Sequence, residues 1–319
     1  MSLTSRASRL LVTSLGFTAA AALGCAPAYD VQTLYNQLQN NDIEVRQDAR
    51  EKLEAIIQEG KFEVFVKGAQ GAVKTYRAPA IIDLARMEQP AARAALRELL
   101  RQDKRVMIPY NPIRMKPSSE ETDSRILVAH LIHGNGGDPE AVKQLLDGAE
   151  AEAPDVLIGT CYALGALRDP AGIPFLSIAS RHPELEVARA AAQALSVFST
   201  PEALAALKAL LNHPAEEVRS EVVSGLQLHD GPEVAEMLKS VAASDPSPEI
   251  RSSAMSQLGR FKDASVVSFL IERLKGGDET SRLNALGALR QLSGQRIGLN
   301  PQAWTRWWEA NGKTIASGS

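Results

Sequence analysis

Apolar residues in the C-terminal half of the chain recur at two periods, one nested inside the other. Within residues 200–228, Leu204, Leu207, Leu210 and Leu211 fall at helical spacing, and Val218, Val222, Gly225 and Leu226 form a second small, apolar stripe. Between the two stripes His213-Pro214 interrupts the pattern. Thr200 and Pro201 mark the first helix start for two reasons: the hydroxyl can cap free amides, and the proline's missing N–H is not needed at that position. Glu216 and Glu217 open the second helix, where the helix dipole favours negative charge. The stretch predicts a helix, a tight turn and a second helix.

The longer period spans a whole helix pair. Prolines at 139, 170, 201 and 232 keep it, and Val156, Val187, Val218, Ile250 and Ser281 follow at steps of 31, 31, 32 and 31. Leu164, Leu195, Leu226, Leu258 and Leu289 share those steps, so units are expected at 138–167, 169–198, 200–228, 230–260 and 263–292. A helix pair of this length cannot bury its apolar face alone, and stacking neighbours completes the core. The fold expected is all-α, a right-handed α-solenoid of stacked helix pairs.

The second helices share a local pattern: Val218-Arg219 with Leu226, Ile250-Arg251-Ser252-Ser253-Ala254 with Leu258-Gly259, and Val45-Arg46 with Ala49 and Leu53. It resembles HEAT-like repeats, in the short form typified by the phycobilisome-lyase type; full HEAT or armadillo units run to ~40–47 residues. The resemblance covers residues 120–292 closely and 30–101 loosely. It implies a fold and a mode of binding and carries no catalytic residue. Arg46, Arg219, Arg251 and Arg282 hold one repeat position and are read as structural, reaching carbonyls or an Asp of the next unit such as Asp245 or Asp278. Leu157 and Ala188 take that slot in two units. Cys161 aligns with Ala192, Val223, Met255 and Leu286, all apolar, which predicts a packed and inert thiol.

Regular repeats occupy 134–298. Residues 30–133 read as irregular helical repeats with insertions at 61–77 and 101–117, of net charge +3 and +4. The second insertion holds Pro109, Pro112 and Pro117 around Tyr110, with Met107, Ile108 and Ile113. Insertions in repeat arrays gather on one face, often the binding face, so this segment is either a contact surface or a solvated loop. As a contact surface it would use Tyr110 as anchor and Lys104, Arg105, Arg114 and Lys116 to steer an acidic protein partner. Tyr162, which shares the outward position of its helix with Gln193, Ser224 and Ser256, completes the candidate contacts. Near the C-terminus, Asn300-Pro301 starts a helix on which Trp304, Trp307 and Trp308 share a face, and Gly312 is read as its stop. Residues 299–312 are expected to cap the solenoid, leaving 313–319 as a flexible tail.

At the other end, Arg6 and Arg9 precede an uncharged run from Leu10 to Gly24, and residues 1–24 read as an export signal. The run is shorter than the ~20 apolar residues of a spanning helix. Its end, Ala22-Leu23-Gly24-Cys25, resembles the lipobox of bacterial lipoproteins, with Ala22 where Leu is usual. The resemblance implies that Cys25 is acylated and that residues 25–29 form a tether. It places the chain in the bacterial cell envelope, with the residue after Cys25 favouring the outer membrane, facing the periplasm.

Charge and chemistry then narrow the function. Without residues 1–24 the chain carries 33 basic and 38 acidic side chains, which argues against nucleic acid as a partner. The sequence contains no Gly-rich phosphate loop, zincin motif or nucleophile elbow, and no cofactor is expected. His130 and His133 lie three apart before Asp138, but no third ligand follows at a fixed offset, so they read as helix-end histidines and not a metal site. His182 and His213 precede prolines at equivalent positions and read as turn residues. A lipidated Cys25 leaves Cys161 without a disulfide partner. Two functions remain. The favoured one is a non-catalytic, membrane-anchored protein–protein interaction scaffold of the envelope. The alternative, by analogy of fold, is a lyase- or chaperone-like enzyme acting on an envelope protein.

Overall fold

The computed structural model describes residues 30–71, 74–101, 105–107, 110–111, 116–117, 121–147, 149 and 153–317. Helices come in consecutive pairs: α1 Val31–Gln37 with α2 Ile43–Gln58, α3 Phe62–Gln70 with α4 Lys74–Ala85, and α5 Pro90–Glu98 with α6 Ser124–Gly134. They continue as α7 Ala141–Asp147 with α8 Pro154–Leu167, α9 Ile173–Ala179 with α10 Leu185–Leu195, and α11 Pro201–Leu210 with α12 Glu216–Gly225. The last pairs are α13 Pro232–Ser244 with α14 Pro248–Leu258 and α15 Ala264–Gly276 with α16 Glu279–Ser293, and α17 Pro301–Ser317 closes the series. From α6 onward the second helix of each unit packs on the second helix of the next, which makes a helical solenoid.

The starts and turns follow from the residues that announced them. Thr200 Oγ1 accepts from the Ala203 amide at 3.3 Å and Asn300 Oδ1 from the Ala303 amide at 3.0 Å. His182 Nδ1 accepts from the Glu184 amide and His213 Nδ1 from the Ala215 amide, both at 3.1 Å, so both histidines cap turns. The repeat leucines Leu164, Leu195, Leu226, Leu258 and Leu289 are fully buried, each contributing ~1.5–3 kcal/mol relative to exposure.

The arginine position explains how several of the turns are held. Arg219 Nη1 donates to the carbonyls of His213 and Pro214 at 2.9 and 3.1 Å, and Arg251 Nη1 to those of Asp245 and Pro246 at 2.7 and 3.1 Å. Arg46 Nη1 reaches the carbonyls of Asn40 and Asn41 at 2.6 and 2.9 Å. Each guanidinium thus hooks back six and five positions onto the turn that precedes its own helix. Arg219 also bridges units, with Nε and Nη2 on the two Asp245 oxygens at 2.9 and 3.1 Å. Arg282 differs, its Nε being buried without a partner.

Three expectations change. The stretch 61–77 is not an insertion: α3 and α4 form an ordinary pair, and Arg77 Nε donates to the Gly71 carbonyl at 2.6 Å, the same hook from six positions on. Arg77 follows Arg46 at the same step as the later repeats, so the period runs through this unit. Pro79, inside α4, removes one helix amide and obscures the pattern. Second, Gly312 does not stop the last helix: α17 continues through it to Ser317, so 313–317 is helix and not tail. A Cβ on Gly312 would lie 2.7 Å from Cε2 of Trp308, so glycine here makes room for the indole. Third, strands occur within the second insertion. β1 Arg105–Met107 pairs antiparallel with β4 Glu121–Asp123, and inside that ribbon β2 Tyr110–Asn111 pairs with β3 Lys116–Pro117.

Candidate functional site

The insertion interrupts the turn between the two helices of the third unit. The interval from Arg77 to Arg125 is one repeat plus 17 further positions. Arg125 stands one repeat before Leu157 and so fills the repeat arginine slot at the start of α6. The ribbons therefore emerge on the edge of the solenoid that carries the hooked turns, and β1 lies against α4.

Where the insertion rejoins the stack, Asp123 and Arg125 form a buried ion pair, with side chains 7 and 2 % exposed. Asp123 caps α6 by accepting from the Arg125 amide at 2.9 Å, and Arg125 Nε donates to Asp123 Oδ2 at 2.9 Å. Arg125 Nη1 reaches the Thr160 hydroxyl at 3.1 Å and Nη2 the Val156 carbonyl at 3.2 Å, both on α8. Gly159 leaves the space for this pair, since any Cβ there would overlap the Asp123 carboxylate. Burying two charges is tolerable because each is matched and the remaining donors find partners. The sequence patterns do not single out this pair; the signal for it is an Arg one repeat before the vacant slot at Leu157.

Of the predicted contact residues, Arg105 lies on β1, Tyr110 on β2 and Lys116 on β3, while Lys104, Arg114 and the lipidation residue Cys25 lie outside the described residues. Tyr110 pairs in register with Pro117, and Asn111 with Lys116, so the ribbon brings Tyr110 and Lys116 onto neighbouring strands. Tyr162 belongs to a different surface. It is half-buried on α8, in the row where Gln193 is half-buried and Ser224 and Ser256 are exposed. Two basic residues of the segments expected as insertions are engaged locally: Lys61 with Glu59 at 2.5 Å, and Arg101 with Glu98 and Asp147 at 3.6 and 3.5 Å.

The titratable groups inside the stack are spaced for packing. Cys161 is fully buried, and burial pushes its thiol up to about 12, far from a nucleophile's range. Burial also lowers the titration of His130, with Arg168 and His133 adding to the effect, and raises that of Glu221 against the opposing charge of Arg189. Among the described residues no three His, Cys, Asp or Glu side chains gather as they would around a metal ion. A cleft of about 490 Å³ lies between α11 and α13, lined by Leu211, Asn212, His213, Met237, Ser240 and Val241 among others, with Arg219 and Asp245 in its wall.

The terminal tryptophans sit as a cap would require. Trp304 is fully buried with Nε1 donating to the Gly298 carbonyl at 2.9 Å, and α17 packs on α15. Trp307 meets Trp304 edge-on at 5.9 Å between centroids, and Trp308 is tilted against Trp307 at 6.1 Å.

These features define a helical-repeat solenoid. Residues 173–256 match the family of HEAT repeats. Kap95p, solved in a study of its binding to RanGDP, superposes with a TM-score of 0.50 at 13% identity, over 88% of this chain and 44% of that one. YibA of Escherichia coli gives 0.44 at 16% identity, over 83 and 92% of the two chains. A chain of the CpcE–CpcF complex of phycocyanin lyase from Nostoc gives 0.31 at 18% identity, over 89 and 96%. No curated protein matches the sequence. The fold is an α-solenoid of HEAT-type repeats.

Proposed function

We propose that this chain is a non-catalytic protein-interaction scaffold of the bacterial cell envelope, tethered through a lipidated Cys25 to the outer membrane and facing the periplasm. The observation that carries the reading is the basic insertion, 17 positions beyond the repeat, at a turn edge where Arg46, Arg77, Arg219 and Arg251 close their own turns with hooks. The hooks serve the stack itself, whereas the insertion adds length and charge that the stack does not require. Stacked repeats present extended surfaces and edge loops suited to protein partners. An acidic protein fits the insertion best, through Tyr110 with Lys104, Arg105, Arg114 and Lys116, while Tyr162 offers a second contact on the α8 surface. Attachment would rest on the lipid, since no described helix is long and apolar enough to cross a membrane.

Cross-linking in intact envelopes, followed by fractionation and mass spectrometry, tests both parts of the reading. The expected result is capture of one recurring protein by the membrane-bound chain, and release of a Cys25→Ser variant into the soluble fraction. A variant that stays in the membrane pellet would refute the anchor. Turnover of an envelope protein without stable capture would favour the enzyme alternative.

A further inference from the structure

The contact between neighbouring second helices uses one pair of slots throughout the regular repeats. The residue after the repeat leucine in one unit faces the residue before it in the next. At three joints both are small: Gly165 against Ala194, Ser196 against Gly225, and Gly259 against Ala288. A Cβ on Gly165 would meet that of Ala194 at 3.1 Å, and one on Gly259 would meet the Gln291 side chain at 2.8 Å and the Ala288 Cα at 3.1 Å, so neither joint has room for a larger residue. At the joint between α12 and α14 the equivalent positions are Gln227, exposed just past α12, and Gln257.

Gln257 is buried there, with Nε2 donating to the Val223 carbonyl at 2.7 Å and Oε1 left without a partner. The rest of the joint is polar as well. At one end stand the Arg219–Asp245 bridge and the Ser247 hydroxyl, which donates to Glu216 Oε1 at 2.7 Å. At the other end Arg260 Nη2 donates to the Leu226 and His229 carbonyls at 2.8 and 2.6 Å, while its Nε is buried and unpartnered. Between the first helices of the same joint lies the cleft of α11 and α13, with the Arg219–Asp245 bridge in its wall and the exposed Lys208–Glu233 pair at 3.8 Å beside its mouth.

We infer that this joint is the hinge of the solenoid, with α12 and α14 as its axis and the α11–α13 cleft as the space into which residues 232–317 swing. The polar contacts at this joint exchange with water at little net cost, whereas parting any of the other three joints also undoes a close contact between small residues. Opening would also hydrate the two orphaned atoms, Gln257 Oε1 and Arg260 Nε, which the closed arrangement leaves unsatisfied. Struts at both ends of the helices hold the axis, while the cleft is crossed at its mouth by the exposed Lys208–Glu233 pair, a link that solvent replaces at little cost. The motion changes the curvature of the solenoid and so the distance between the turn-edge insertion and the C-terminal cap.

Spin labels on exposed positions measure this directly in the mature chain carrying Cys25→Ser, since Cys161 is fully buried and out of reach of the label. Ala205→Cys on α11 with Ser268→Cys on α15 spans the joint; Asp155→Cys on α8 with Ala205→Cys spans a similar number of units upstream of it. All three positions are exposed. The distance distribution across the joint should be broader than the upstream one. Gln257→Ala, which installs the residue of the equivalent positions 194 and 288, should narrow it and shift it to shorter distances. Equal widths at the two pairs, or a broad distribution that Gln257→Ala leaves unchanged, overturns the inference.

Discussion

Arg125 and Arg219 stand at the same repeat position, yet their surroundings ask different things of them. Arg219 closes its own turn and reaches one carboxylate across a joint. Arg125 is enclosed, so its value depends on Asp123 remaining charged beside it. Arg125→Met should therefore cost ~3–5 kcal/mol, most of it from leaving the buried Asp123 carboxylate unmatched. Adding Asp123→Asn should restore much of the loss, because the amide still caps α6 and no lone charge remains. Urea unfolding of the single and double variants checks this; equal losses would mean that shape, and not charge, holds the site. The pair was hidden in the sequence because the insertion shifts the phase of the period just before it. The Cys161 environment was legible, since every equivalent position is apolar and one column of the repeat is enough to predict burial.

At the scale of helices, legibility followed the strength of local signals. The pair α11–α12 was readable from Thr200-Pro201, His213-Pro214 and the two Glu of the second start, all of which act where expected. The pair α3–α4 was not, because Phe62, Val64, Phe65 and Val66 crowd one short helix and Pro79 breaks the pattern of the other. The regular step from Arg46 to Arg77 was the one repeat feature left, and it requires knowing what the arginine does. Helix contacts make a sharper prediction. A Cβ on Gly225 would overlap that of Ser196, so Gly225→Ala must push α10 and α12 apart and should cost ~1–3 kcal/mol. Gly287, exposed within α16 with nothing near its Cβ position, should gain ~0.5–1 kcal/mol as Ala through helix propensity. Thermal melts of the two variants should move in opposite directions; a shared direction would contradict the close approach of α10 and α12.

Across the whole molecule, charge is divided unevenly. The segment 101–117 carries net +4 on a chain whose net charge is −3. Such a division would draw an acidic partner toward the insertion and away from the body. Neutralising Lys104, Arg105, Arg114 and Lys116 together should slow association with the captured partner and flatten its salt dependence, with an unchanged melting temperature. An unaltered association rate would move the contact to the surface around Tyr162. The stack passes through the insertion without losing step: Ile132 precedes Leu164 by one ordinary repeat interval, although the chain has been lengthened just upstream. Helices and hooks keep the pitch, and the turn keeps only its two ends. Recognition in this chain can therefore be rewritten in length and composition at one edge while the rod that displays it stays the same, much as a tool is changed without altering the handle.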